Sequence, residues 1–349
     1  MHTNSLDLTN RGIEYKNSES QLNTEYSADP IVLVCASDNN YAMPLAVMVR
    51  SVIENLGSDR LLELFIIDGG INPRKKQKVM QSIQDKRITV KWLKPQTNLL
   101  TGLKGHWYIT TAMFYRLLIP DLLPDLSKAI YLDTDLIVNT DLGKLWNTDL
   151  GENYLAAAQE LYSVEIEKEL PHTDPLPPVA GDQDADTCNP TFKAFNSGVL
   201  VINLEKWRQQ NLGLKIIRYL VEQRPYGRTT DGDGLNILLR NQWLPLDPRW
   251  NQTPGIFEYK AWKNSPFSEA DFLNILNNPY IIHFAHPGKP WNTYGRHPSE
   301  ALFYTYLDKT KWAGWRFTIW RRIYNKMMRE LKSAFFLNKI KSSFSVKST

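Results

Sequence analysis

Residues 129–138 read AIYLDTDLIV, an apolar run, the carboxylates of Asp133 and Asp135, and a second apolar run. Short apolar runs mark buried strands, and a strand interior tolerates two carboxylates only opposite something cationic. In an extended backbone residues i and i+2 point to the same side. Taken as one strand, the stretch therefore presents Asp133 and Asp135 together. Two hard oxygen ligands side by side suit Mg²⁺ or Mn²⁺, and such an ion can hold a diphosphate. Two solvated aspartates at a strand end are the commoner meaning of an isolated Asp-x-Asp. The flanking chain has to decide between them.

Upstream, Ile31–Ala36 reads as a strand, followed by the polar loop Ser37–Tyr41 and a helix with Pro44 in its first turn. Leu45, Met48, Val49, Val52, Ile53 and Leu56 mark the buried face of that helix. Leu62–Ile67 is a second strand, Asn72-Pro73 opens a second helix, and Ile88–Leu93 is a third strand. This alternation begins a parallel α/β sheet. A helix bearing Met113, Phe114, Leu117 and Leu118, with Arg116 beside that face, precedes Pro120. Open α/β sheets bind ligands beyond the carboxyl ends of their strands, so the Asp38–Tyr41 loop and the Asp133/Asp135 pair are expected in one cleft.

Downstream, Tyr154–Ala158, Phe195–Asn203, Trp243–Leu246 and Tyr280–Phe284 read as strands, with helices from Leu204 and from Asp231. Pro171–Pro190 is rich in proline and acid, either a solvated surface loop or a binding lid.

The chain has 349 residues, 42% hydrophobic and 22% charged, ordinary for a globular protein and enough for a large core. Cys35 and Cys188 form neither a disulfide framework nor a zinc pattern, which fits a reducing compartment. No opening signal peptide is recognisable, and no apolar run reaches the roughly 20 residues of a membrane span. These features lead to the expectation of a cytoplasmic protein. Eleven Lys/Arg against the single acid Glu330 give residues 309–349 a charge of +10, leaving −6 on residues 1–308 of a chain whose total is +4. That balance argues against nucleic-acid binding by the main domain. The expected organisation is a flexible polar leader over 1–29, one α/β domain over 30–308, and a basic aromatic tail over 309–349. On a helix through 319–335, Trp320, Ile323, Tyr324, Met327, Leu331 and Phe335 fall on one side and Arg321, Arg322, Lys326, Arg329 and Lys332 on the other. A basic amphipathic helix of this kind reads as a peripheral anchor on an anionic membrane surface; the alternative is a docked terminal helix with a solvated basic face.

Six segments in order resemble glycosyltransferase family 8, which includes bacterial lipopolysaccharide galactosyltransferases and glucosyltransferases and glycogenin. They are Ala36–Ala42, Tyr131–Asp135, Leu145–Leu150, Phe195–Asn203, Asp231–Asp233 and His283–Trp291, and the resemblance spans roughly residues 30–295. It implies a glycosyltransferase A-type, Rossmann-like nucleotide-sugar-binding domain with a mostly parallel mixed sheet flanked by helices. It implies Asp133, Asp135 and His283 as ligands of Mn²⁺ (or Mg²⁺), and a UDP-sugar as donor. Asp38 and Asn40 would reach uracil or ribose, with Tyr41 stacked on the base and Ala36 allowing close backbone approach. Arg116 would contact donor phosphate or sugar, and Asn196, Asp231 and Glu160 would lie at the donor sugar. Lys289 would pair with the diphosphate, flanked by the phosphate-loop residues His286 and Gly288.

Two residues depart from the family pattern. Gly232 replaces a glutamine that is one proposed nucleophile or stabiliser at the reacting sugar face, and His286 replaces a glycine of the phosphate loop. The expectation is a metal-dependent retaining hexosyltransferase moving galactose or glucose to a glycan or lipopolysaccharide-type acceptor. With glycine at 232 it would work by front-face attack, without an enzymatic nucleophile there. The alternatives are a nucleotide-sugar hydrolase or a non-catalytic sugar-nucleotide or glycan-binding protein.

Overall fold

A computed structural model describes residues 29–103, 110–161, 193–223, 230–240, 242–285, 288–292, 297–321, 323, 324 and 327. The leader through residue 28, the Pro171–Pro190 loop, Cys188, His286 and the tail beyond 327 lie outside the described residues.

The first strands form as their patterns dictate. β1 (Ile31–Ser37) is buried along its whole length and pairs in parallel with β2 (Leu62–Asp68), which pairs in parallel with β3 (Ile88–Leu93). A strand apolar throughout is what a sheet covered on both faces requires. The helix Ala42–Asn55 lies between β1 and β2, and the helix Pro73–Ser82 between β2 and β3. The latter starts where expected, with the Asn72 side chain accepting the Lys75 N–H and Pro73 in the first turn.

After β3 the chain crosses back. β4 (Lys128–Leu132) pairs in parallel with the other edge of β1, and β7 (Phe195–Asn203) pairs antiparallel with β4. β6 (Leu155–Gln159) is antiparallel to β7, and β8 (Trp243–Pro245) is parallel to β6. The order is β3-β2-β1-β4-β7-β6-β8, a seven-stranded mixed sheet with mostly parallel pairs, as expected. Strand order reverses between β1 and β4, and a crevice opens at such a switch point.

Residues 129–138 are not one strand. β4 ends at Leu132, residues 133–135 bend away, and β5 (Leu136–Val138) pairs antiparallel with β9 (Ile281–His283) in a separate two-stranded sheet. Two carboxylates cannot be threaded through the sheet interior, so the chain leaves the sheet at Asp133. The helix expected before Pro120 is also different. A 3₁₀ run over Thr111–Leu118 leads into a short α-helix, Ile119–Leu122, that contains Pro120 near its start, where proline costs no hydrogen bond.

The chain beyond 308 begins docked. The Lys311 N–H donates to Ser82 Oγ at 2.9 Å, Thr310 is buried, and Trp312 packs on the core. Residues 319–321, 323, 324 and 327 are helical and exposed, and Trp320 reaches 79% exposure. Among the described residues no helix is long and apolar enough to cross a membrane.

Candidate active site

Backbone pairing assembles the site from three distant segments. β4 runs beside β7, and past its end the Asp133 N–H donates to the Gly198 carbonyl at 2.9 Å. β5 runs beside β9 with Leu136 opposite His283, and the Phe284 N–H donates to the Asp135 carbonyl at 3.0 Å. The bend at 133–135 thus has Gly198 on one side and His283 on the other.

His283 Nε2 lies 3.3 Å from Asp135 Oδ1 and 4.0 Å from Asp133 Oδ2. One ligand atom from each of Asp133, Asp135 and His283 falls within 4.8 Å of the others. The remaining oxygens are committed. Asp133 Oδ1 accepts the Tyr131 hydroxyl at 2.9 Å and Arg116 Nη2 at 2.7 Å. Asp135 Oδ2 is ion-paired with Lys289 Nζ, which also donates to the Phe284 carbonyl. Burial pushes the Asp135 carboxyl up, but the charges of Lys289 and His283 outweigh it and hold it well below the usual carboxylate range.

Arg116, expected at the donor, is only 3% exposed and is spent on the protein itself. Its Nε pairs with Asp231 Oδ2 at 2.8 Å, and its guanidinium lies 4.5 Å above the centre of the Tyr131 ring. Burial opposes its charge, but Asp133 and Asp231 together hold it protonated. Burial pushes the Asp231 carboxyl up to about 6, with Arg116 opposing and Asp133 and Asp233 adding to the rise. Removing either carboxylate leaves part of a buried charge uncompensated, a change that costs about 3–5 kcal/mol when a pair is broken outright.

The first loop sits over the same crevice. Asp38 Oδ1 accepts the N–H groups of Asn40 and Tyr41 at 2.7 and 3.1 Å, shaping the turn into the first helix, while the Asn40 side chain is exposed. The Tyr41 phenol is pushed upward by burial and by the carboxylates of Asp135, Asp38 and Asp133, as the shared cleft requires. Tyr41 meets Trp291 edge-on at 5.8 Å. The segment carrying Lys289 is fixed by the Tyr304 hydroxyl, which donates to the Pro290 carbonyl at 2.6 Å, and Gly288 adjoins it half-buried. Asn196 Nδ2 donates to Glu160 Oε2 at 2.7 Å, so these two expected sugar-binding residues are partners of each other.

Two residues essential to this geometry were not singled out by sequence reasoning. Gly198 stands in the quoted Phe195–Asn203 motif without an assigned role. A Cβ there would lie 2.4 Å from His283 Cε1 and 3.0 Å from Asp133 Oδ2. A glycine inside an apolar strand signals close approach, and that signal was present. Asn251, whose Oδ1 is 2.9 Å from His283 Nδ1, sits in a 3₁₀ turn (Pro248–Asn251) opened by Asp247-Pro248, but nothing in the local pattern marks its approach to the histidine.

The profile of glycosyl transferase family 8 matches residues 32–295. The chain belongs to glycosyltransferase family 8. It is 32% identical over 284 residues to general stress protein A of Bacillus subtilis, a match covering 80% of this chain and 94% of that protein. Lipopolysaccharide 1,2-glucosyltransferase of Escherichia coli is 23% identical over 276 residues, covering 79% of this chain and 77% of that one. The solved structure of galactosyltransferase LgtC with donor and acceptor sugar analogues superposes with a TM-score of 0.66 at 24% identity, covering 80% of this chain and 96% of that one. That likeness establishes a shared fold.

As a family 8 glycosyltransferase, the chain keeps a donor set that fits a divalent cation. Two carboxylate oxygens and one imidazole nitrogen converge, and Gly198 keeps their space clear. At Gly232 an added Cβ would meet nothing nearer than Ser197 Oγ at 3.3 Å. That is closer than an ordinary contact, so the Ser197 hydroxyl would have to give by a few tenths of an ångström to admit a side chain there.

Proposed function

We propose that the protein is a metal-dependent, retaining hexosyltransferase that moves galactose or glucose from a UDP-sugar to a glycan or lipopolysaccharide-type acceptor. The observation that carries the reading is the convergence of Asp133, Asp135 and His283 beside Lys289 at the β1/β4 switch point. Asp133, Asp135 and His283 would hold Mn²⁺ or Mg²⁺, which when bound supplies Lewis-acid stabilisation of the departing diphosphate. Lys289 contributes a positive charge that trades its partner Asp135 for diphosphate oxygens, and Tyr41 offers a face for the base.

The two carboxylates nearest Gly232 are poor nucleophiles. Asp231 is buried against Arg116, and Asp233 Oδ2 accepts the Thr230 N–H in the capping box of its helix. Front-face attack, which needs positioning and leaving-group stabilisation alone, suits such a site.

The test is release of UDP from UDP-galactose and UDP-glucose, with Mn²⁺ or with chelator, and with or without candidate acceptors. Metal-dependent release that needs an acceptor, with the product anomer retained, is the expected result. Acceptor-independent release makes the protein a hydrolase. Tight UDP binding without turnover makes it a binding protein, the reading that Gly232 favours. A glycosyl adduct on Asp231 or Asp233 overturns the front-face route.

We also infer that the protein works from the cytoplasm, peripherally attached to an anionic membrane. The support is the exposed row Ile319, Trp320, Ile323, Tyr324 and Met327 in a tail of strong positive charge. The free, buried thiol of Cys35 fits a reducing compartment.

A further inference from the structure

We propose that Asn251 is a positioning residue that fixes which nitrogen of His283 faces the carboxylate pair. The proposal deepens the metal-dependent reading and rests on it. An imidazole can ligate through Nε2 only if the proton stays on Nδ1, and the hydrogen bond at Nδ1 sets that choice. Here the partner of Nδ1 is Asn251 Oδ1, at 2.9 Å.

An amide can face a histidine with its oxygen or with its NH₂ group. With the NH₂ forward it would hold a lone pair on Nδ1 and place the proton on Nε2, where the carboxylates would keep it. The orientation of Asn251 is decided on its far side. Its Nδ2 donates to Asn196 Oδ1 at 2.9 Å. Asn196 cannot turn round, because its Oδ1 also accepts the backbone N–H of Gly198 at 3.0 Å and its Nδ2 donates to Glu160 Oε2 at 2.7 Å. A backbone N–H only donates and a carboxylate only accepts. Reversal would set donor against donor and acceptor against acceptor. Glu160 is fixed in turn, its Oε1 accepting the Leu161 N–H at 2.7 Å.

The polarity therefore runs one way, from Glu160 through Asn196 and Asn251 to His283. The last two members are 7% and 3% exposed, so water cannot readily replace a lost partner. The same two-residue segment grips the histidine backbone, with the His283 N–H donating to the Gln252 carbonyl at 2.9 Å. Asn196, assigned by resemblance to the donor sugar, thus carries a second duty toward the ligand set.

The experiment uses the full chain. Imidazole ¹⁵N–¹H correlations of the metal-free protein at alkaline pH are expected to show the His283 proton on Nδ1. Mn²⁺ affinity, read from the EPR signal of the free ion, is expected to fall about 10- to 100-fold in Asn251→Leu, which removes the acceptor toward Nδ1. A proton on Nε2 in the wild-type protein overturns the proposal, as does an Asn251→Leu protein that binds Mn²⁺ as tightly as wild type. Wild-type protein that carries the proton on Nδ1 yet takes up no Mn²⁺ sinks the metal reading and leaves the relay standing. The wild-type spectrum decides even if the leucine variant does not fold.

Discussion

Gly198 has no Cβ, and the His283 ring occupies the space where one would stand. In Gly198→Ala the ring or the β7 backbone has to shift by about an ångström. We expect a stability loss of about 1–3 kcal/mol by urea unfolding and a Mn²⁺ affinity at least about tenfold weaker. Asp231 makes a pH prediction. Its carboxyl has an ordinary value of 3.8 and is raised by burial to about 6 in the fold. Between those values the native protein holds a proton that the unfolded chain has released. Its contribution is thus fully present below about pH 4 and is lost as pH rises through 6, a change of about 3 kcal/mol. Urea unfolding of wild type and Asp231→Asn at several pH values in that window should show stability falling with pH more steeply in the wild type. Parallel curves would mean that Asp231 ionises normally.

At the level of elements, the helix Asp231–Leu238 starts with the Thr230–Asp233 capping box and is pinned to β7 by Asn236, which bonds both backbone groups of Phe195. Gly232 lies in its first turn, facing Ser197. Gly232→Gln should fold with stability changed by no more than about 1 kcal/mol, since the helix propensity gained over glycine is set against the small shift the Ser197 hydroxyl must make. If attack is front-face, UDP release should stay within about threefold of wild type. A gain of tenfold or more would mean that the glutamine side chain does chemistry this chain otherwise lacks. The chain from β4 to β5 teaches a related lesson. Its apolar pattern was legible as strand, but the change of sheet between Asp133 and Asp135 was not, because periodicity reports burial and says nothing of which neighbour pairs.

For the whole molecule, the glycosyltransferase domain and the proposed membrane-facing tail are expected to be separable. Residues 309–316 belong to the folded body, with Trp312 packed on it and Arg316 paired with Asp308, whereas the exposed row begins at Ile319. A chain ending at residue 316 should keep its thermal midpoint within about 3 °C, since it gives up no core residue among those described. It should also lose sedimentation with anionic vesicles, which added salt should weaken for the full chain. Undiminished sedimentation of the truncated protein would move the membrane surface elsewhere on the domain.

The sequence by itself determined the alternating α/β frame, the capped start at Asn72, the motif order that marks family 8, and the choice of the acids, histidine and lysine that converge at the candidate site. These are properties of local pattern and residue chemistry. Tertiary structure decided that Arg116 is buried between Asp133 and Asp231, that Asn251 reaches His283, and that Gly198 must stay small. It decided how Asp133 and Asp135 are presented as well. They share a site because β4 and β5 pair with different partners on either side of the bend, bringing residues about 150 positions apart within one ion's reach. Such pairings are set by which strands find each other across the fold, and no spacing along the chain encodes that.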